Sequence, residues 1–364
     1  MVGSRLNISH IRFYISDYGF GHASRMIALM RSLHETIDCI ISVRTNTPAE
    51  FIQNSCPFVT VEKKPNDMGV VMHENTASVD IERTWEMLDA WINSWEPWIE
   101  EEKNFCRKHG VSLIISDITP QAFHVSHEFG IPGVGISNFT WYLIYQPLYP
   151  DSLPVEKIKQ AYALADLGIV LPLNEPMGVF RETEQSPILS RKVTASRAEI
   201  HEHLQIPLDG IVVYVGSGLS FNTVPDCIPK LLDRGIHVLV SGSSSIQHEN
   251  LHVIPHSENE TQNFMAACDL IITKPGYSTV SEAITAKIPL LIFRREGFAE
   301  DDFIIEPLVE NRIGLSLSWE EIASGNWIEN LPDILAMKEN YSQADSRFIT
   351  DGTQAIITTL RKYL

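Results

Sequence analysis

Short apolar runs along the chain alternate with stretches in which apolar residues recur every three to four positions. Residues 11–16 predict a strand, and the spacing after them predicts a helix over 23–34. Residues 39–43, 113–116 and 133–137 predict further strands, the last preceded by a helix over 121–128. Apolar β-rich runs alternating with amphipathic helices predict an α/β fold with a doubly wound parallel sheet. The alternation pauses over 172–210, where Pro172, Pro176, Pro187 and Pro207 stand among polar residues. It restarts at 211–215, 237–240, 252–254, 270–273 and 290–293. Two Rossmann-like domains are therefore expected, 1–185 and a second beginning at 186. The carboxyl ends of their strands are expected to face each other across a cleft. No repeat of 20–50 residues and no low-complexity tract interrupts this plan.

One segment departs from it. Trp85, Leu88, Trp91, Ile92, Trp95 and Ile99 recur at helical spacing, with Pro97 set to kink the helix or start another. The stripe reads either as a face turned to the core or as an apolar wall for a substrate.

Composition narrows the function. Of 364 residues 44% are hydrophobic and 20% charged, so the chain can build a core. Lys plus Arg number 28 against 46 Asp plus Glu, a formal charge of −18. That surface repels phosphate backbones and anionic headgroups, so nucleic acid is not an expected partner. A small basic pocket for a phosphorylated ligand is compatible with it. The five cysteines show no metal-ligand spacing and read as reduced core thiols. No apolar run approaches the roughly 18–20 residues of a membrane span, and residues 1–10 are too short and polar for a signal peptide. A soluble, cytoplasmic protein with no transmembrane segment is expected.

Two loops carry candidate chemistry. In the first, Tyr18-Gly19-Phe20-Gly21-His22 joins a strand to a helix, and its glycines let the backbone turn tightly and approach a ligand. The loop makes a poor dinucleotide fingerprint, because Ser24 stands where a third glycine belongs. The second strand also ends at Arg44 instead of an acid, which only an NADP enzyme could use. His22 can serve as a general base near neutral pH, with Asp117 at the end of another strand to orient it. Alternatively His22 bonds its own loop and Asp117 caps the next helix.

In the second loop, Lys274-Pro275-Gly276-Tyr277-Ser278-Thr279 leads from a strand into a helix expected over 279–286. Gly276, Ser278 and Thr279 make a diphosphate cradle there. Glu282 either closes a capping box with Thr279 or accepts the hydroxyls of a ribose. Gly216, Ser217 and Gly218 can add backbone donors. Glu300 and Asp301 can hold sugar hydroxyls or face solvent, and Arg294 and Arg295 can neutralise phosphate or pair with those acids. No D-x-D stands at a strand end, so a metal-bridged diphosphate is not expected.

Assembled, these residues resemble the glycosyltransferases of the two-Rossmann-domain GT-B type. The resemblance is greatest to the glycosyltransferase-like N-terminal region of plant L-arabinokinases. It rests on residues 19–25 (GFGHASR), 116–120 (SDITP), 137–141 (SNFTW) and 294–300 (RREGFAE). The sugar-kinase domain of those proteins has no counterpart in the chain, so kinase activity is not implied. A more distant likeness links it to the N-acetylglucosaminyltransferase of peptidoglycan synthesis and to UDP-dependent natural-product glycosyltransferases. It implies His22 as base and Asp117 as its orienting partner. It further implies a donor site of Gly21, Gly216, Ser217, Gly218, Lys274, Gly276, Tyr277, Ser278, Thr279, Glu282, Arg294, Glu300 and Asp301. The family's Asp-Gln sugar-contacting pair is missing, with Glu300-Asp301 near its place. The second domain should then run over 186–345, and a C-terminal helix, 346–364, should pack back on the first domain. The implied activity is inverting transfer from a nucleotide-diphosphate sugar, a UDP-sugar foremost, to an acceptor hydroxyl, with no cofactor and no metal. Asn138 and Trp141 would line the acceptor pocket, and the acceptor itself, a lipid, natural product or glycan, is open. The rival expectations are a nucleotide-sugar 2-epimerase or hydrolase of the same fold, and a non-catalytic sugar-nucleotide-binding module.

Overall fold

The computed structural model describes residues 8–73, 78–216, 227–242, 244–295 and 298–364. The chain divides into two compact units. Met1–Val71, Asp80–Leu189 and Gly352–Leu364 form the first, and Met72–Val79 and Ser190–Asp351 the second.

Among the described residues, the first unit holds a seven-stranded sheet in the order β3-β2-β1-β4-β5-β6-β7. Its strands are β1 Ser9–Ile15, β2 Cys39–Thr45, β3 Thr60–Lys63, β4 Leu113–Asp117, β5 Gly133–Ser137, β6 Leu167–Val170 and β7 Thr183–Gln185. Every pairing is parallel. β4 and β5 are buried at every position, as expected of central strands in a sheet covered on both faces. The second unit repeats the plan with β8 Val212–Gly216, β9 His237–Ser241, β10 Leu251–Ile254, β11 Leu270–Thr273, β12 Leu290–Phe293 and β13 Gly314–Leu317. Its order is β10-β9-β8-β11-β12-β13, again all parallel. Both sheets thus carry the doubly wound order, in which the direction of strand addition reverses beside the first strand.

Four strands were not expected from the sequence. β3 (TVEK) and β7 (TEQ) are short, polar edge strands, β13 (GLSL) is an edge strand half open to solvent, and β6 (LGIV) is an apolar, fully buried strand that the sequence reading passed over.

The tryptophan-rich segment forms two helices, Ile81–Asn93 and Trp95–His109, with Pro97 in the first turn of the second. Trp91, Trp95 and Trp98 are buried and only Trp85 is substantially exposed, so the stripe packs into the first unit's core. Glu102 anchors the second helix to the sheet. Fully buried, it accepts from Arg12 Nε at 3.1 Å, Tyr14 Oη at 2.7 Å and Arg44 Nη1 at 2.6 Å. Arg44 also donates to Glu101 at 2.6 Å, so it is committed to these acids and offers nothing to a 2′-phosphate.

Near the C-terminus, the Thr353–Leu360 helix lies with the first unit, where Gln354 Nε2 donates to Ser32 Oγ at 3.3 Å. All five cysteines are free thiols, four of them buried. No helix among the described residues is long and apolar enough to cross a membrane.

Candidate active site

In a doubly wound sheet, ligands bind beyond the carboxyl ends of the strands where the order reverses. In the first unit that point lies between β1 and β4, with Ile15 registered against Asp117. The loop after β1 is held by Asp17, whose Oδ1 accepts from Thr45 Oγ1 at 3.1 Å and whose Oδ2 accepts from Asn66 N at 2.7 Å. Gly19 turns the chain at φ +82°, a conformation L-residues rarely adopt. The helix Gly21–Thr36 then begins, placing His22 in its first turn and Arg25 three residues later on the same face. After β4 the backbone passes through Ile118 at φ 58°, unusual for a β-branched residue and worth about 1–3 kcal/mol of strain. Tyr162 Oη donates to Ile118 O at 2.6 Å and holds that turn.

These constraints bring His22 and Asp117 together, with Nδ1 3.0 Å from Oδ1. Asp117 is fully buried and His22 is 6% exposed. Arg25, also buried, donates from Nε to Asp117 Oδ2 at 2.7 Å and from Nη2 to Oδ1 at 2.5 Å. Burial by itself would raise the Asp117 carboxyl, but Arg25 and His22 outweigh it and hold the group below the ordinary carboxylate range. It is therefore ionised at neutral pH. Neither residue acts as a cap in isolation, and the pair is one charged cluster.

Arg25 went unassigned in the sequence, although it lies within the GFGHASR stretch. The available signal was an arginine one turn from His22 on a helix that is otherwise buried there. Arg25 also explains Asn138. Expected to face an acceptor, Asn138 is fully buried, with Oδ1 accepting from Arg25 Nη1 at 2.6 Å and Nδ2 donating to Leu173 O at 3.3 Å. Trp141, expected beside it, is likewise fully buried and donates from Nε1 to Asp67 Oδ2 at 3.0 Å. Both side chains are buried and hydrogen-bonded within the first unit. Burial and the nearby Asp17 raise Asp67 to about 6, and burial raises Glu175, which accepts from Thr140 Oγ1 at 2.5 Å, to about 7.

The second unit repeats the arrangement between β8 and β11, where Thr273 is registered against Gly216. A Cβ on Gly216 would come within 2.5 Å of the Tyr214 ring. Ser217 and Gly218 lie outside the described residues. The helix after β11 is Tyr277–Thr285 with Gly276 as N-cap, two residues earlier than expected. Thr279 is therefore inside the helix and no capping box with Glu282 forms. Tyr277 and Ser278 are buried, Thr279 is half-buried, and among the described residues a Cβ on Gly276 would meet nothing within 4 Å. The missing side chain at Gly276 thus leaves the N-cap of this helix uncrowded by the described residues.

Basic groups border it. Burial, then the neighbouring Arg295, pushes the Lys274 ammonium down to about 8. Arg295 Nη2 lies 3.4 Å from Pro275 O, and its fork grips Asp301 Oδ1 at 2.5 Å, while Asp301 Oδ2 accepts from Arg295 N at 2.6 Å. Asp301 is thereby committed to Arg295, and burial raises its carboxyl to about 6. Glu300 stands 3.6 Å from Arg295 Nη2 and is buried. Arg294 is exposed and paired with Asp302.

Glu282 is held by a partner the sequence did not point to. Its side chain is buried, with Oε1 accepting from Arg191 Nε at 2.7 Å and Oε2 from Arg191 Nη2 at 3.2 Å. Arg191 also donates to Asn259 O at 2.5 Å and Thr261 Oγ1 at 3.0 Å. A carboxylate has about four acceptor positions and this fork takes two. Nothing in the local sequence marked Arg191, which is distant in the chain from Glu282. Among the described residues, no group of three or more His, Cys, Asp or Glu side chains is placed to hold a metal ion.

No family model matches the chain. It is 26% identical over 349 residues to the L-arabinokinase of Arabidopsis thaliana, covering 90% of this chain and 32% of that protein. The chain thus spans about a third of that relative's length. Among solved structures, it aligns with a calicheamicin glycosyltransferase at a TM-score of 0.70 and 15% identity, over 99% of both chains. Phytolacca americana UGT2, solved with UDP-2-fluoroglucose and pterostilbene, aligns at 0.66 and 13%, over 97% of this chain and 99% of that one. MurG of Acinetobacter baumannii aligns at 0.61 and 12%, over 97% and 99%. The chain has the two-sheet GT-B fold of these glycosyltransferases and is a homologue of the Arabidopsis L-arabinokinase.

Proposed function

We propose that the protein is an inverting glycosyltransferase that moves a sugar from a nucleotide-diphosphate sugar, a UDP-sugar foremost, to an acceptor hydroxyl. The observation that carries this reading is the buried His22–Asp117 contact at 3.0 Å, set at the switch point of the first sheet in a chain of GT-B fold. His22 takes the acceptor proton at Nε2, because Nδ1 faces Asp117. The acceptor oxygen bonds to the anomeric carbon as the bond from that carbon to the diphosphate breaks. The electron pair leaves with the nucleoside diphosphate. On the second unit, the amides at the start of the Tyr277–Thr285 helix, with Lys274 and Arg295, stabilise the leaving charge without a metal ion. Glu282, held by Arg191, keeps two acceptor positions for ribose hydroxyls.

The experiment is transfer from a panel of labelled nucleotide sugars to mixed acceptors by the wild type and His22→Ala, with nucleotide binding measured in parallel. His22→Ala should abolish transfer, a loss of at least about 100-fold, and bind the nucleotide as wild type does. Full activity in that variant would remove the base. Brisk release of free sugar and nucleotide in the absence of any acceptor would replace transfer by hydrolysis.

A further inference from the structure

Two histidines of the second unit meet nitrogen to nitrogen. His237 opens β9, and His252 lies in β10, the outermost strand of the described sheet. His237 Nδ1 stands 3.1 Å from His252 Nε2, with the ring centroids 5.4 Å apart and the planes inclined by 25°. Two ring radii added to that contact account for the centroid separation, so the rings meet edge to edge in nearly one plane. This is the geometry of an N–H···N bond in which one ring donates and the other accepts. The neutral pair holds one proton in the bridge and one on an outer nitrogen. A third fits on the remaining outer nitrogen and leaves the bridge intact. A fourth must go on the accepting bridge nitrogen, which sets the N–H groups of two cations against each other. The unfolded chain can hold all four.

The surroundings add to this limit. Burial, then the nearby His201, lowers the proton affinity of His237, while Glu249 raises it; burial, then His237, lowers that of His252. His201 comes from the helix Arg197–Leu204, with its ring nitrogens 3.0 Å from Pro207 O and 3.1 Å from Ala267 O. Glu249 is exposed in the loop before β10, where His248 Nδ1 accepts from Asn250 N at 3.1 Å. We infer that His237 and His252 form an acid-operated clasp on β10, whose bridge holds the strand at neutral pH and whose proton uptake releases it. Both rings are lowered from their ordinary value of about 6.5, so the opened strand binds more protons than the closed one, and closure weakens as pH falls below that value. Beyond β10 the chain reaches Asn259 and Thr261, whose oxygens accept from Arg191, the residue that holds Glu282. Releasing β10 therefore loosens a support of Arg191. That consequence rests on the proposed donor site, whereas the clasp does not.

Hydrogen exchange read by mass spectrometry over residues 248–256 of the full chain, corrected for the intrinsic pH dependence of exchange, reports the opening of β10. Between pH 6.5 and 5 the opening constant should rise by up to about tenfold per pH unit in the wild type. In His252→Gln, which keeps a polar side chain beside His237 and loses one titrating ring, the whole rise should stay within about threefold. Peptides covering β11 and β12 should remain protected throughout. Equal rises in the two proteins, no rise in the wild type, or a rise shared by β11 and β12 would each overturn the clasp. Long-range proton–nitrogen NMR on histidine-labelled wild type gives a second measurement, with the ring signals identified by their loss in His237→Gln. The pair should take up one proton between pH 7.5 and 5.5, and two independent titrations at the ordinary histidine value overturn the inference even if His252→Gln fails to fold. UDP affinity, measured calorimetrically, should weaken more steeply in acid for the wild type than for His252→Gln. Equal affinity profiles beside the expected exchange difference would overturn the link to the donor site and leave the clasp standing.

Discussion

Replacing Arg191 with methionine should destabilise the second unit severely. The change removes a buried guanidinium that bonds both Glu282 oxygens, at 2.7 and 3.2 Å, together with Asn259 O at 2.5 Å and Thr261 Oγ1 at 3.0 Å. Methionine fills much of the volume, so little of the loss comes from a cavity. What remains is a carboxylate 5% exposed without its cation. Removing one partner of a buried pair costs about 3–5 kcal/mol. For a unit of this size each kcal/mol lowers the melting temperature by about 2–4 °C, giving an expected fall of about 6–20 °C. Calorimetry on the wild type, Arg191→Met and the double variant Arg191→Met/Glu282→Leu reads it. The double variant should recover at least about half the loss, because an apolar pair of similar volume can replace a buried ion pair. A fall below about 2 °C, or a double variant no better than the single, would refute the claim that this pair is a desolvated unit.

Two further predictions concern the second unit's helix start. With Lys274 titrating near 8, its charged fraction drops from about 0.9 at pH 7 to about 0.1 at pH 9. A positive Lys274 favours the diphosphate, so UDP affinity measured calorimetrically should weaken by up to about tenfold over that range; a flat profile would take Lys274 out of the site. Gly276→Ala puts a Cβ where no atom of the described residues lies within 4 Å. Its melting temperature should stay within about 2 °C of wild type while UDP affinity falls at least about tenfold. Undiminished affinity would mean that the space beside Gly276 is not where the diphosphate goes.

The sheet strands with apolar runs were legible because burial on both faces writes itself into sequence as continuous Val, Ile and Leu. β5, β11 and β12 occupy the residues their apolar runs marked. β3 and β7 carried no such mark, since edge strands can be polar and are recruited only by the neighbour they pair with. The start of the Tyr277–Thr285 helix was misplaced for a related reason. Thr279 and Glu282 have the spacing of a capping box, but Gly276 holds the N-cap and Glu282 belongs to Arg191.

Gly19, Gly21 and His22 stood out in the sequence because their local chemistry is unusual whatever surrounds them, and so did Lys274 and Gly276. Composition alone likewise argued against a nucleic-acid partner, since net charge is a sum over residues and does not depend on their arrangement. Which of those residues meet, and which are spent on one another, could come only from the fold. Asp117 reaches His22 because β4 pairs with β1 across an intervening stretch of about a hundred residues. Arg25 claims Asn138, and Arg191 claims Glu282, through bonds that span 113 and 91 residues. Local pattern is a short-range signal, whereas the satisfaction of a buried charge is a long-range condition. It is met by whatever partner the sheet order and packing bring within reach.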